Sequence, residues 1–259
     1  MELMDRDTQV GAIRRHFTRA LATYDGEARA QRMICSDLMK LVADVGTSHF
    51  SHVLEIGCGT GCLTQKMRDS CDVDSWVVND LCGAASGYVD AILRGRNYKF
   101  VEGNAEKVDL GGEFDLILSA SVFQWIDAPS QFFERLSSML TDSGHLIFST
   151  FTPENLYEVR GVSGKGLLYP SVDELESILS CSFEIERMRE DEIELRFATP
   201  MDVLRHLKST GVTATGGNKI WTKSMQTNFC DKYKEKYATA DGGCHLTYRP
   251  LYVACKKKK

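Results

Sequence analysis

Residues 53–61 read VLEIGCGTG: an apolar strand with one acid runs into glycines at 57, 59 and 61, and the helical stretch CLTQKMRD follows. Glycine adopts backbone conformations closed to other residues, and without a Cβ it lets a second group come close to the main chain. The N-terminus of the next helix is then aimed at the same spot, with its partial positive charge. A buried strand, a tight turn and a helix in immediate succession are the opening unit of an α/β sheet.

The following hundred residues repeat that alternation. Strand candidates are HVLEIG (52–57), SWVVNDL (75–81), KFVEGN (99–104), FDLILSAS (114–121) and GHLIFSTF (144–151), separated by helical stretches such as GYVDAILRG and SQFFERLSSML. Short, almost wholly apolar strands alternating with helices predict a doubly wound, mostly parallel sheet covered on both faces. Before it, residues 7–45 carry apolar positions at helical spacing: Val10, Ile13, Phe17, Leu21 and Tyr24, then Ile34, Leu38, Leu41 and Val42. After it, residues 152–170 hold three glycines and two prolines with no clear period, the composition of a lid or binding loop. Ser171 with Glu174 and Thr199-Pro200 with Asp202 mark two helix starts. The runs 182–197 and 244–257 predict an antiparallel pair at the sheet edge. The organisation expected is one domain over 1–259: a helical segment (1–51), a cofactor-binding core (52–151), a lid (152–170) and a C-terminal half (171–259) that completes the sheet on the acceptor and partner side.

Bulk properties narrow the function. A net charge of −5 argues against a nucleic-acid partner held by overall charge. No apolar run is long enough to span a bilayer, and MELMDRDTQV lacks a signal pattern, so a cytoplasmic protein without a membrane partner is expected. Nine scattered cysteines without a CxxC pair suggest free thiols in a reducing compartment, and Cys58, Cys62 and Cys71 read as small packing residues rather than metal ligands. No metal is expected. The six histidines are spread out and read as core or surface.

The glycine turn also selects its ligand. A dinucleotide fingerprint needs its third glycine at 62, where the chain has Cys62. Glu55, two residues ahead of Gly57, would repel a pyrophosphate and attract an ammonium or sulfonium. Asp80, at the end of the second strand, is placed to accept from both hydroxyls of a ribose, and Asn104 in GNAE (103–106) ends the third strand beside the same crevice.

The EIGCGTG turn, Asp80, GNAE and FDLILSASVFQW together resemble class I S-adenosylmethionine-dependent methyltransferases. That resemblance implies a Rossmann-like sheet of seven strands with the last antiparallel, and S-adenosylmethionine as cofactor with S-adenosylhomocysteine as product. By position, Gly57, Gly59 and Gly61 would follow the methionine moiety and Glu55 would face its amino group. Asp80, with Leu81 beside it, would hold the ribose, Asn104 and Ala105 would contact adenine, and Ser119 would line the methionine side. Many relatives have Asp where this chain has Asn104, whose amide oxygen still accepts a hydrogen bond.

More specific features lie outside that core. The frame IRRHFTRALATYDGEARAQ, the exit VFQW, and LLYPSVDELESIL, LRHLKSTGVTA and LTYRPLYVACKK are similar to malonyl-[acyl-carrier protein] O-methyltransferases of biotin synthesis. The resemblance implies a malonyl thioester, on acyl-carrier protein or coenzyme A, whose free carboxylate becomes a methyl ester. A carboxylate is ionised at pH 7, so no general base is required, which agrees with the lack of a Ser/His/Asp or Cys/His set. Tyr24, Gln124, Trp125 and Tyr169 are candidates to orient the carboxylate and exclude water. An acidic carrier would need a local basic face, for which Arg187, Arg189, Lys208 and the stretch Lys219 to Lys223 are the candidates. The competing readings are a methyltransferase for another small acid or a ring carbon, and a non-catalytic module that keeps the fold.

Overall fold

The computed structural model describes residues 6–164, 166–211 and 222–258. Their elements, in order, are α1 (Arg6–Glu27), α2 (Arg29–Asp44), β1 (His49–Ile56), α3 (Cys62–Ser70), β2 (Asp72–Asp80), α4 (Ser86–Ile92), β3 (Tyr98–Glu102), β4 (Phe114–Ala120), α5 (Pro129–Ser138), β5 (Leu140–Phe151), α6 (Tyr157–Ser163), α7 (Val172–Leu179), β6 (Phe183–Glu190), β7 (Ile193–Phe197), α8 (Pro200–Ser209), α9 (Lys223–Tyr237), β8 (Cys244–Tyr248) and β9 (Pro250–Lys257). They divide into two compact units. One takes the described residues of 31–152, 170–191 and 250–259; the other takes those of 1–30, 153–169 and 192–249.

The first unit is built on a seven-stranded sheet of order β3-β2-β1-β4-β5-β9-β6. The pairs β1–β2, β1–β4, β2–β3 and β4–β5 are parallel, while β9 runs antiparallel to both β5 and β6. The five strands expected from the apolar runs are all present. Their hydrophobic character follows from position: Val53, Leu54 and Ile56 of β1 and Leu116, Ile117 and Leu118 of β4 have no exposed surface, as strands covered on both faces require. Phe123, Phe132, Phe133 and Phe148 form an aromatic cluster under the β4 exit, with Phe123 and Phe148 centroids 4.7 Å apart.

Three features differ from the sequence reading. The antiparallel pair at the sheet edge is β6–β9, but the antiparallel strand itself lies one place in, and β6 is the edge. The runs 182–197 and 244–257 are each broken in two, and their other halves, β7 and β8, pair in a separate sheet in the second unit. Pro250 marks one break; lacking an N–H, it suits the first position of a strand. Third, the stretch 152–170 contains a helix, α6, entered through Leu156 at φ 53° and left through Gly164 at φ 66°. A seven-residue helix with Gly161 inside it has too little periodicity to register in sequence. Gly161 is required by close packing: a Cβ there would lie 2.5 Å from the Tyr237 hydroxyl.

The two helix starts are as expected. Ser171 and Glu174 form a reciprocal capping box on α7, and the Thr199 side chain accepts from Asp202 N on α8. Among the described residues no helix is long and apolar enough to cross a membrane.

Candidate active site

In the sheet order, β1 is followed on one side by β2 and β3 and on the other by β4 and β5. The order in which strands are added thus reverses between the parallel neighbours β1 and β4, and in such sheets ligands bind outside the carboxyl ends of the strands at that reversal. All nine residues assigned to the cofactor fall at those ends, within the sheet unit.

The glycine turn is fixed by its neighbours before any ligand arrives. Gly57, Gly59 and Gly61 have φ of 73°, 55° and 82°, the left-handed region. Gly57 N and Cys58 N donate to the Asn79 carbonyl at 2.8 and 3.1 Å, which hangs the turn on β2. The three glycines are needed for different reasons. A Cβ on Gly57 would lie 2.2 Å from Val122 Cγ2, and one on Gly61 would lie 2.3 Å from Ile92 Cδ1. A Cβ on Gly59 would enter open space. Packing therefore explains two of them, and the third faces the volume a ligand can occupy.

Glu55, 2% exposed, is the last acid before the turn. The Thr64 hydroxyl, one turn into α3, donates to its Oε2 at 2.6 Å. Burial pushes the Glu55 carboxyl up to about 7; the Thr64 hydrogen bond opposes the shift, and the nearby Cys62 and Asp80 add to it. A buried acid held at the edge of ionisation takes up its charge readily when a cation is placed beside it. Asp80 closes the other side. Its Oδ2 accepts from Gly59 N at 2.8 Å and its Oδ1 from Cys82 N at 2.7 Å. Burial pushes its pKa above the usual carboxylate value, and the backbone donors of Cys82 and Gly59 pull it back. Leu81 follows half-buried. The buried acid and the open face of Gly59 fit a cationic, ribose-bearing cofactor.

The other assigned residues also make local hydrogen bonds at the strand ends. The Ser119 hydroxyl is fully buried and donates to Ile56 O at 2.9 Å, so it joins β4 to the end of β1. Asn104 Oδ1 accepts from Glu106 N at 3.0 Å, a side-chain turn that uses one of its two lone pairs. Ala105 is buried, and its carbonyl accepts from Arg135 Nη1 at 2.8 Å.

Of the acceptor candidates, Gln124 and Trp125 lie on a single 3₁₀ turn, Phe123–Trp125, anchored by Phe123 in the aromatic cluster. Gln124 Nε2 donates one of its two hydrogens to Ser121 O at 2.6 Å, and its buried Oε1 has no hydrogen-bond partner in the protein. Tyr24 and Tyr169 belong to the second unit. Tyr24, half-buried in α1, accepts through its carbonyl from Ala28 N at 2.7 Å. The Tyr169 hydroxyl accepts from Asn155 Nδ2 at 3.0 Å, and burial pushes it up to about 12. Of the basic candidates, Arg187 is paired with Asp44 at 2.9 Å and Arg189 with Asp191 at 2.8 Å, whereas Lys208 and Lys223 are exposed. Lys219, Ile220 and Trp221 lie outside the described residues.

Sequence reasoning missed several residues that build the site. Asn79, 2% exposed, donates to Val101 O and Gly103 O at 2.8 and 3.0 Å, joining the ends of β2 and β3. Glu106 Oε1 accepts from Asp127 N and Ala128 N, fixing the approach to α5. Thr64 carried a legible signal, a hydroxyl in the first turn after the glycines, but nothing in sequence aims it at Glu55.

The sheet order, the glycine turn and the two strand-end acids define a class I methyltransferase whose cofactor is S-adenosylmethionine. A methyltransferase domain family matches residues 54–148. Among solved structures, the N-methyltransferase NodS from Bradyrhizobium japonicum in complex with S-adenosylhomocysteine has a TM-score of 0.58 at 15% identity, covering 95% of this chain and 99% of that one. The cyclopropane synthase MmaA2 from Mycobacterium tuberculosis has a TM-score of 0.53 at 16% identity, covering 85% and 83%. These likenesses speak for the fold. Sequence relatives are nearer: a malonyl-[acyl-carrier protein] O-methyltransferase from Porphyromonas gingivalis is 39% identical over 99% of this chain and 98% of its own length. One from Haemophilus influenzae is 35% identical over 94% and 93%. The chain belongs to the malonyl-[acyl-carrier protein] O-methyltransferase family.

Proposed function

We propose that the protein methylates the free carboxylate of a malonyl thioester, carried on an acyl-carrier protein or on coenzyme A, as an early step of biotin synthesis. The observation that carries the acceptor is the 39% identity to a relative of that name over 99% of the chain. The fold alone leaves the acceptor open, since a cyclopropane synthase shares it.

Bound in the crevice, S-adenosylmethionine supplies a methyl group on a positively charged sulfur for transfer to an oxygen. Gly59 leaves room for it, Asp80 holds the ribose and Glu55 balances its positive charge. The remaining task is positioning. The acceptor carboxylate is already an anion at neutral pH, so no residue must remove a proton. An aromatic side chain such as Trp125 excludes water, which strengthens attraction between unlike charges, and orientation supplies much of the rate. Exposed Lys208 and Lys223 meet an acidic carrier, and their reversal to Glu raises KM for the carrier-bound substrate about tenfold while sparing cofactor affinity.

The test is incubation with methyl-labelled cofactor and malonyl-acyl-carrier protein. Label released from the product by mild base as methanol supports the ester. Label that resists base, or no transfer to malonyl thioesters at all, refutes it in favour of a ring-carbon acceptor or a binding module.

A further inference from the structure

Two cysteines from different helices meet at the glycine turn. Cys35 lies on α2, and Cys62 is the first residue of α3, directly after Gly61; both belong to the sheet unit. The Cys35 thiol is in hydrogen-bond contact with Cys62. That contact, and burial after it, push the Cys35 thiol well above its usual range, so it keeps its proton. Cys35 is 4% exposed, whereas Cys62 is partly open to solvent.

Filling space at this point asks for two small apolar residues, not for two sulfurs in contact. A deeply buried thiol is inert, and an exposed one needs a neighbouring thiol before it can close a bond within the chain. Here an oxidant reaches one sulfur, and a shielded second sulfur stands against it. By contrast, the Cys58 and Cys181 thiols are turned to oxygens, Cys58 to Gly59 O at 3.8 Å and Cys181 to Ser177 O at 3.4 Å. Two charges act on the pair. Glu55 disfavours a negative sulfur, and Lys66, one turn along α3 from Cys62, favours it.

We propose that Cys35 and Cys62 form a reversible disulfide when a peroxide oxidises them, and that the bond disables the glycine turn. The Cys62 thiolate attacks one oxygen of hydrogen peroxide and the O–O bond breaks, leaving a sulfenic acid on Cys62 and one water. Cys35 then attacks the Cys62 sulfur. The S–S bond forms as the Cys35 proton leaves with the displaced hydroxide as a second water. Two thiols lose two electrons and two protons, and the peroxide is reduced to two waters. A thiol reductant reverses the bond by exchange.

The consequence follows from the bond's length. A disulfide holds its sulfurs about 2 Å apart, far closer than a hydrogen-bonded pair, so the start of α3 is drawn toward α2. Gly61 and Thr64 move with it. Thr64 donates to Glu55 at 2.6 Å, and Gly61 is packed so closely that a Cβ would lie 2.3 Å from Ile92 Cδ1. The loss of ligand affinity rests on the S-adenosylmethionine reading of the crevice; the bond itself does not.

The test treats the protein with hydrogen peroxide, alkylates the remaining thiols and maps disulfides by mass spectrometry without reduction. A Cys35–Cys62 cross-link is expected, removed by dithiothreitol and absent from both Cys35→Ala and Cys62→Ala. Titration calorimetry with S-adenosylhomocysteine should show oxidation weakening binding about tenfold, with recovery on reduction. Cys62→Ala should bind equally before and after peroxide. A Cys62 sulfinic acid without the cross-link overturns the proposal, as does cross-linked protein of undiminished affinity. Reduced wild type that binds no S-adenosylhomocysteine refutes the cofactor reading instead, and the peptide map still decides the disulfide.

Discussion

The glycine turn of one unit and a buried acid of the other treat their polar groups differently. Around the glycine turn, the polar side chains are tied down one by one. Thr64 holds Glu55, two carbonyls hold the Asn79 amide, two N–H groups hold Asp80, and Ile56 O takes the Ser119 proton. In the second unit, Glu158 on α6 has no exposed surface, neither of its oxygens has a hydrogen bond, and His245 Nε2 stands 3.5 Å away. His206, also fully buried, pairs with the Tyr248 hydroxyl at 2.8 Å, and burial lowers its basicity, with Glu27 opposing that shift. The glycine turn is thus pre-organised by directional bonds, whereas Glu158 relies on charge proximity to His245 in a buried setting. A pre-organised site spends little ordering free energy when the ligand arrives.

Substitutions at the glycine turn put that contrast to its strongest test. Gly57→Val forces a side chain into Val122 and a branched residue into positive φ, so it is expected to cost about 3 kcal/mol or more of stability, read by denaturant unfolding. Gly59→Ala meets no protein atom. It should cost only about 1–2 kcal/mol of backbone strain while weakening the cofactor about a hundredfold. Equal behaviour of the two variants would break the distinction between packing glycines and the ligand-facing one.

Next in size is Asp80→Asn. The amide nitrogen that replaces one carboxylate oxygen cannot accept from Gly59 N or Cys82 N, and the ribose loses a charged acceptor, so affinity should fall between about tenfold and a hundredfold. Calorimetry with adenosine alone should record the same loss, since the ribose carries it.

The Glu55 carboxyl yields a pH signature. Its folded-state value is raised, from 4.5 to about 7, so the ligand-free folded chain holds a proton that the unfolded chain has released. Stability contributed by that proton is fully present below pH 4.5 and is lost as the pH rises through 7, by about 3 kcal/mol in all. Melting temperatures of Glu55→Gln should lack this component between those limits.

Smallest of all should be Tyr169→Phe, which removes the oxygen that accepts from Asn155: about 1 kcal/mol of stability and a few-fold rise in acceptor KM, with cofactor affinity unchanged. A large loss of cofactor affinity instead would mean that the second unit shares in binding it.

The same contrast explains what was readable in the sequence. Strand runs with Leu54, Ile117 and Phe148 at their centres are apolar because both faces are covered, and glycines at 57, 59 and 61 carry the turn openly. Side-chain aim was not legible. Ser119 and Asn104 stand where the sequence places them, but nothing in it shows that Ser119 donates to Ile56 O or that Asn104 Oδ1 accepts from Glu106 N. Strand order was legible only in part: the antiparallel pair was foreseen, but apolar alternation cannot say that β9 inserts between β5 and β6 or that Pro250 separates it from β8.

The most direct measurement is cofactor titration near pH 7 in buffers of differing ionisation enthalpy, with S-adenosylmethionine and a nicotinamide dinucleotide as ligands. The account predicts that only S-adenosylmethionine binds, and that binding releases a fraction of a proton that disappears in Glu55→Gln. Binding of the dinucleotide, or of S-adenosylmethionine with the same proton balance in both proteins, would contradict it.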